Sequence, residues 1–185
     1  MVSTAIVCCL LVVASYTDIR WRKVYNWTTY SGILAALVLN AGVTFWPGEP
    51  NRALGFVGMA ECFQGLLGCG FLMLVCYVFF PGGVGGGDVK LIAMIGSFLG
   101  PYHGLEAMLW TFVLGGATAL VVLTWQFGAW QLFLRGGQRV LAFVRVGRFA
   151  PWSDDERERL KTDLFLAPSA LLSVVIVQFQ VDRWF

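Results

Sequence analysis

Long apolar runs separated by short polar breaks dominate the chain. Residues 2–16, 27–45, 53–80, 105–134 and 164–181 carry almost no charge, and each reads as a helix embedded in a membrane. Trp46-Pro47-Gly48 closes the second run and Pro81 closes the third. Glu61 and Gln64 interrupt the third run only near its start, and Pro168 stands at the beginning of the last. The short alternating segments of a transmembrane β-barrel are not found.

A sixth apolar segment, residues 89–99, behaves differently. It follows the glycine-rich stretch Pro81-Gly82-Gly83-Val84-Gly85-Gly86-Gly87-Asp88 and stops at Gly100-Pro101-Tyr102-His103-Gly104. As a helix it covers only ~17 Å, against a hydrocarbon core of ~30 Å. A helix starting at Asp88 is therefore too short to cross alone. Either the membrane is locally thin, or the glycine loop carries Asp88 below the surface into a wet recess, the arrangement an intramembrane site requires.

Composition agrees with the pattern. The chain is 58% hydrophobic and 13% charged, and its mean hydropathy is +0.72. A soluble domain is excluded, since its apolar share is nearer ~45–50%. The expected fold is all-α: one polytopic membrane domain over residues 1–185, with about six transmembrane helices, the short one starting at the glycine motif. The net charge of +2 gives no reason to expect nucleic acid. Its distribution is informative. Of thirteen basic residues only Arg52 and Arg183 fall outside three regions: Arg20–Lys23, Lys90, and the polar stretch 135–161. The positive-inside bias puts those regions in the cytoplasm, both termini outside, and Asp18 and Asp88 on the cytoplasmic side. No basic residue precedes the first apolar run, so that run is expected to be a retained helix, not a cleaved signal. Ser153-Asp154-Asp155-Glu156 reads as a capping box within a cytoplasmic loop of about 135–163. Its basic residues mark a face toward lipid headgroups, or a surface for substrate or an assembly partner.

The candidate chemistry is carried by carboxylates. Cys8, Cys9, Cys62, Cys69 and Cys76 lie inside apolar runs without a Cys-x-x-Cys pair, so neither a metal site nor a cofactor is implied. The seven-residue spacing of Cys62, Cys69 and Cys76 suggests close packing at a helix contact. The glycine stretch lacks the Gly-Lys-Ser/Thr of a phosphate loop and the register of a dinucleotide fingerprint. The sole histidine, His103, is expected in an outer loop, which leaves a serine or cysteine nucleophile without its base. Two aspartates, Asp18 and Asp88, need no such help. When like charges approach, one carboxylate stays ionised as a general base and the other protonated as a general acid. Peptide hydrolysis is the reaction class that fits. The alternative class is a non-catalytic scaffold, or a transporter whose aspartates bind a proton or cation. Taken singly, Asp18 reads as a residue flanking a helix end and Asp88 as a helix cap.

Asp18-Ile19-Arg20-Trp21-Arg22-Lys23-Val24-Tyr25-Asn26-Trp27 and Gly85-Gly86-Gly87-Asp88 together resemble the two aspartate motifs of the type IV prepilin peptidase family, D-x-R-x-x-x-I-P-N-W and G-x-G-D. Tyr25 stands where the family has proline. The likeness runs from about Ile6 to Gly100, with a weaker echo at Ala167-Pro168. The short form resembles the peptidases of tight-adherence (Flp) pili and of archaeal preflagellins. The cysteine-rich loop of the long, N-methylating form is absent, so methylation is not expected. Presenilin and signal-peptide peptidase share G-x-G-D, but their Tyr-Asp motif is not matched by Tyr16-Thr17-Asp18. The resemblance implies an aspartic endopeptidase of the bacterial inner membrane that cuts the basic leader from prepilins or pseudopilins at the cytoplasmic face. Asp18 and Asp88 would be its catalytic pair, with membrane lipid and the pilus-assembly machinery as surroundings and candidate partner. Gly85 and Gly87 would let Asp88 approach Asp18 and the substrate. Lys90 is a candidate to orient a carboxylate or touch substrate, with snorkelling to the headgroups the alternative. Arg20 and Asn26 are candidates to position Asp18 or the leader.

Overall fold

The computed structural model describes residues 2–21, 23–45, 55–79, 84–127 and 166–179. They form five helices: α1 Val2–Trp21, α2 Asn26–Phe45, α3 Met59–Phe79, α4 Gly86–Phe127 and α5 Leu166–Gln178. No strand occurs among the described residues. The first four are long and apolar enough to cross a membrane, and α5 is a shorter apolar helix. The chain is thus an all-α, polytopic membrane protein. The expected cytoplasmic loop at 135–163, with its capping box at Ser153, lies outside the described residues.

The chain divides into two compact units, Met1–Leu114 with Phe165–Phe185, and Gly115–Leu164. The second unit is described only over 115–127, the distal part of α4, where Thr118 Oγ1 donates to the Gly115 carbonyl at 2.9 Å. In the first unit many large apolar side chains point outward. Val12, Val13, Leu34, Leu67, Phe71 and Leu109 are all exposed, as suits a lipid-facing surface. The interior sets small residues, among them Ala14, Ala36, Cys62, Cys69, Ala107 and Ala170, beside larger ones such as Leu11, Met73, Ile92 and Met94. Lipid tails are as apolar as leucine, so helices in a membrane associate through close packing, and small side chains allow it.

The tightest packing joins α3 to α4. A methyl group on Gly65 would strike the Gly96 carbonyl oxygen, and one on Gly96 would strike that of Gly65. A methyl on Gly104 would lie 2.9 Å from Gly96 Cα and 3.0 Å from Cys69 Sγ. Cys62 and Cys69 are fully buried and Cys76 partly so, which agrees with the packing role inferred from their spacing.

Helix α4 is broken once, at Gly100, whose φ of 78° and ψ of −179° are not helical. Glycine tolerates that φ, and Pro101 disfavours the α conformation in the residue before it. Proline also suits the first position of a new helix, where its missing N–H leaves no bond unmade. The helix therefore resumes at once. The five-residue break expected over 100–104 shrinks to one residue, and His103 is helical, bonded to Glu106 at 3.3 Å. The first half of α4 begins at Gly86, three residues earlier than expected, yet spans only roughly 20 Å over residues 86–99 at ~1.5 Å per residue. Residues 91–100 are buried without interruption. A helix that is apolar all round belongs inside a bundle. Here the surrounding helices, not lipid, enclose a helix too short to span.

At the end of the bundle away from Asp18 and Asp88, polar groups close on one another. Asn40 is fully buried in α2. Its Oδ1 accepts the N–H groups of Val57 (3.1 Å) and Gly58 (3.0 Å), and its Nδ2 donates to the Ala36 carbonyl at 2.8 Å. Thr44 Oγ1 accepts the Met59 N–H at 3.0 Å. The first turn of α3 is thus capped from α2, which satisfies amides that no intrahelical bond can reach.

Candidate active site

Three helix ends meet at the other end of the bundle: the last turn of α1 and the first turns of α4 and α5. Asp18 belongs to the first and Asp88 to the second. Both side chains are half-buried, so each is partly sheltered yet accessible. The charge of Asp18 reaches the Asp88 carboxyl, as a smaller influence there than burial.

Asp88 is held locally. Its main-chain N–H donates to the Gly85 carbonyl at 3.0 Å, and its Oδ2 accepts the Gly85 N–H at 3.0 Å. Gly85 is the cap residue of α4, and Asp88 occupies the third helical position. An acidic side chain reaching back to the cap amide is half of a capping box. The aspartate expected as a helix cap therefore lies inside the first turn instead, where the helix dipole favours its negative charge. The glycines have separate tasks. A methyl on Gly85 would sit 3.0 Å from Asp88 Oδ2, crowding that bond. A methyl on Gly87 would sit 3.2 Å from Val24 Cβ, so Gly87 lets the start of α4 rest against the segment linking α1 to α2. A methyl on Gly86 would meet nothing within 4 Å.

Asp18 is held from a distance. Its Oδ2 accepts the main-chain N–H of Ala167 at 3.3 Å, from the first turn of α5. An edge-on aromatic series, Tyr16, Trp21 and Tyr25, flanks it with ring centroids 5.9 and 6.2 Å apart. Exposed tyrosine and tryptophan favour a membrane–water interface, which suits these residues on either side of Asp18 in the chain. Tyr25 starts α2 by accepting the Thr28 N–H at 3.1 Å, a capping task that needs only its carbonyl.

The remaining candidates separate into two groups. Lys90 and Asn26 come together: Lys90 Nζ donates to Asn26 Oδ1 at 2.7 Å and lies 4.9 Å from the centre of the Tyr30 ring. Lys90 therefore ties α4 to the start of α2 and bonds to neither carboxylate. Arg20 is exposed and makes no hydrogen bond or ion pair among the described residues. Three contributors lie beyond the residues singled out by sequence. Val24 carries no reactive group to signal its contact with Gly87. Asn40 was legible only as an amide in an apolar run. Ser15, one turn before Asp18, holds the one buried side-chain oxygen without a partner among the described residues.

The model of the type IV leader peptidase family matches residues 5–120, which include both aspartates and the glycine motif. The chain belongs to the type IV leader peptidase family. No curated protein and no solved structure matches the chain in the corresponding searches. Membership makes this membrane protein a leader peptidase in kind, and the region matched ends well before α5.

Proposed function

We propose that the protein is a membrane-embedded aspartic endopeptidase that removes the basic leader from prepilin-like substrates, with Asp18 and Asp88 as its catalytic pair. The observation that carries this reading is the pairing itself. Two half-buried carboxylates share one end of the bundle within electrostatic reach, each with a single oxygen tied to a main-chain N–H. The second oxygen of each remains for water and substrate.

In the proposed reaction the ionised carboxylate takes a proton from water as its oxygen attacks the scissile carbonyl carbon. The protonated partner gives its proton to the carbonyl oxygen, yielding a neutral tetrahedral intermediate. Collapse breaks the C–N bond. The departing amine takes the proton held by the first carboxylate, and the hydroxyl proton of the intermediate returns to the second. The pair ends in its starting state, with one peptide bond and one water consumed. Burial, and to a smaller degree repulsion between the carboxylates, favours keeping one proton on the pair.

The basic residues near Asp18 and at Lys90 support a cytoplasmic position for this site in a bacterial inner membrane, with both termini outside. A prepilin suits it: a basic leader stays in the cytoplasm while an apolar helix lies in lipid. Pilus-assembly components are the matching candidate partners. Co-expression with a tagged prepilin, in a host lacking its own leader peptidase, tests the reading. The wild type is expected to shorten the prepilin, and Asp18→Asn and Asp88→Asn to leave it intact. Cleavage persisting in either variant would refute the pair. A wild type that leaves every neighbouring-gene prepilin uncut would favour a transporter or scaffold.

A further inference from the structure

The two carboxylates are held in different ways. Asp88 is secured by Gly85, three residues away in the same turn, so forming α4 is enough to orient it. The helix that carries Asp18 supplies no such bond to its carboxylate. Its described partner is the amide of Ala167, 149 residues further along the chain. Ala167 is fully buried and bears only a methyl group, so its side chain has no chemistry to offer. Its amide does. The first N–H groups of a helix have no intrahelical acceptor, and this one is met by Asp18. Pro168, next in the chain, has no N–H with which to compete.

We propose that Ala167 is a positioning residue acting through its main chain, and that α5 is therefore part of the catalytic apparatus. This inference rests on the assignment of Asp18 to the catalytic pair. The docking that brings the amide to Asp18 is built from α1 and α5 themselves. They pack along each other, and Val7, Leu11 and Ala14 share one buried cluster with Ala170, Val174 and Val177. With Oδ2 tied to α5, the Asp18 carboxyl cannot turn freely, and its other oxygen keeps one direction toward the reacting groups. A bond from N–H to an ionised carboxylate is also stronger than one between neutral groups. The family match ends at residue 120, so α5, apart from the weaker echo at Ala167-Pro168, lies outside the matched region.

The test alters one atom. Replacing Ala167 by lactic acid through nonsense suppression exchanges its N–H for an ester oxygen and keeps the methyl. No intrahelical bond is lost, because a first-turn amide makes none. The expected result is a fall in kcat of about tenfold to a hundredfold, the size of one hydrogen bond to a charged group. KM for a purified prepilin and the thermal midpoint in detergent should stay at wild-type values. Suppression with alanine at the same codon rebuilds the N–H and should return kcat to the wild-type value. Wild-type kcat in the ester enzyme would overturn the proposal, as would a change confined to KM or to the thermal midpoint. Asp18→Asn run alongside separates the two ideas. If it cleaves, the catalytic pair is wrong; if it is inactive while the ester enzyme is normal, only the role of Ala167 falls.

Discussion

The two ends of the bundle use one device for opposite purposes. At the closed end, the Asn40 side chain from α2 caps the start of α3, and every one of its polar atoms is engaged. At the open end, Asp88 caps its own helix and Asp18 meets the start of α5, each with one oxygen. The difference lies in what remains. A neutral amide with both its oxygen and its nitrogen bonded fastens two helices and offers no acid or base. A carboxylate with one oxygen tied and one free is oriented and still reactive. Helix starts in this protein are therefore structural where they meet Asn40, and candidate chemical parts where they meet aspartate.

That contrast predicts a clean division between loss of activity and loss of stability. Asp18→Asn and Asp88→Asn should cut kcat by ~10²–10⁴-fold, the range for removing a general acid or base. Because asparagine still offers an oxygen to the Gly85 or Ala167 amide, their thermal midpoints should stay near wild type. Asn40→Ala should do the reverse. It strands the Val57 and Gly58 amides, at roughly 1–3 kcal/mol for each unpaired group. A lower thermal midpoint in detergent, with normal kcat in the fraction that remains folded, is the expected outcome. An Asn40→Ala enzyme as stable as wild type would end the distinction between the two ends.

Gly87→Val sharpens the comparison at the open end. Its branched side chain would press against Val24, 3.2 Å from even a bare methyl, and push the start of α4 away from the α1–α2 link. Insertion and expression should continue while kcat falls more than about tenfold, since small misplacements of reacting groups are costly. Full activity would mean that this contact does not set the position of Asp88. The smallest effects belong to the charged neighbours. Lys90→Met should lower kcat by only a few fold, through loss of one bond to Asn26 worth about 1 kcal/mol. Arg20→Ala, at an exposed residue with no described partner, should leave kcat within about twofold, as exposed charges contribute little. A large loss in Arg20→Ala would point to the leader peptide as its partner.

Much of this was legible in the chain because it depends on local chemistry. Apolar runs announce helices in lipid, and the glycine motif ending in Asp88 announces a carboxylate at a helix start. Proline and glycine at 100–101 announce a break, though not that Pro101 would restart the helix within one residue. What stayed hidden depends on contacts distant in sequence. Nothing in the spacing of Ala167 and Asp18 says that an amide of one meets the oxygen of the other. The enclosure of residues 91–100 was equally hidden: their length could suggest a thin membrane or a recess, and only packing shows them walled in by other helices. Lys90 illustrates the same limit, since its charge suits a carboxylate and its position delivers it to Asn26.

The central claim is that Asp18 and Asp88 act as one catalytic unit, and a double-mutant cycle tests it most directly. Purified wild type, Asp18→Asn, Asp88→Asn and the double variant would be compared by kcat on one prepilin in one detergent. Residues that work as a unit are strongly non-additive. The account predicts that each single variant loses about as much activity as the double, with all four proteins folded. Independent, additive losses, or substantial cleavage by either single variant, would contradict it.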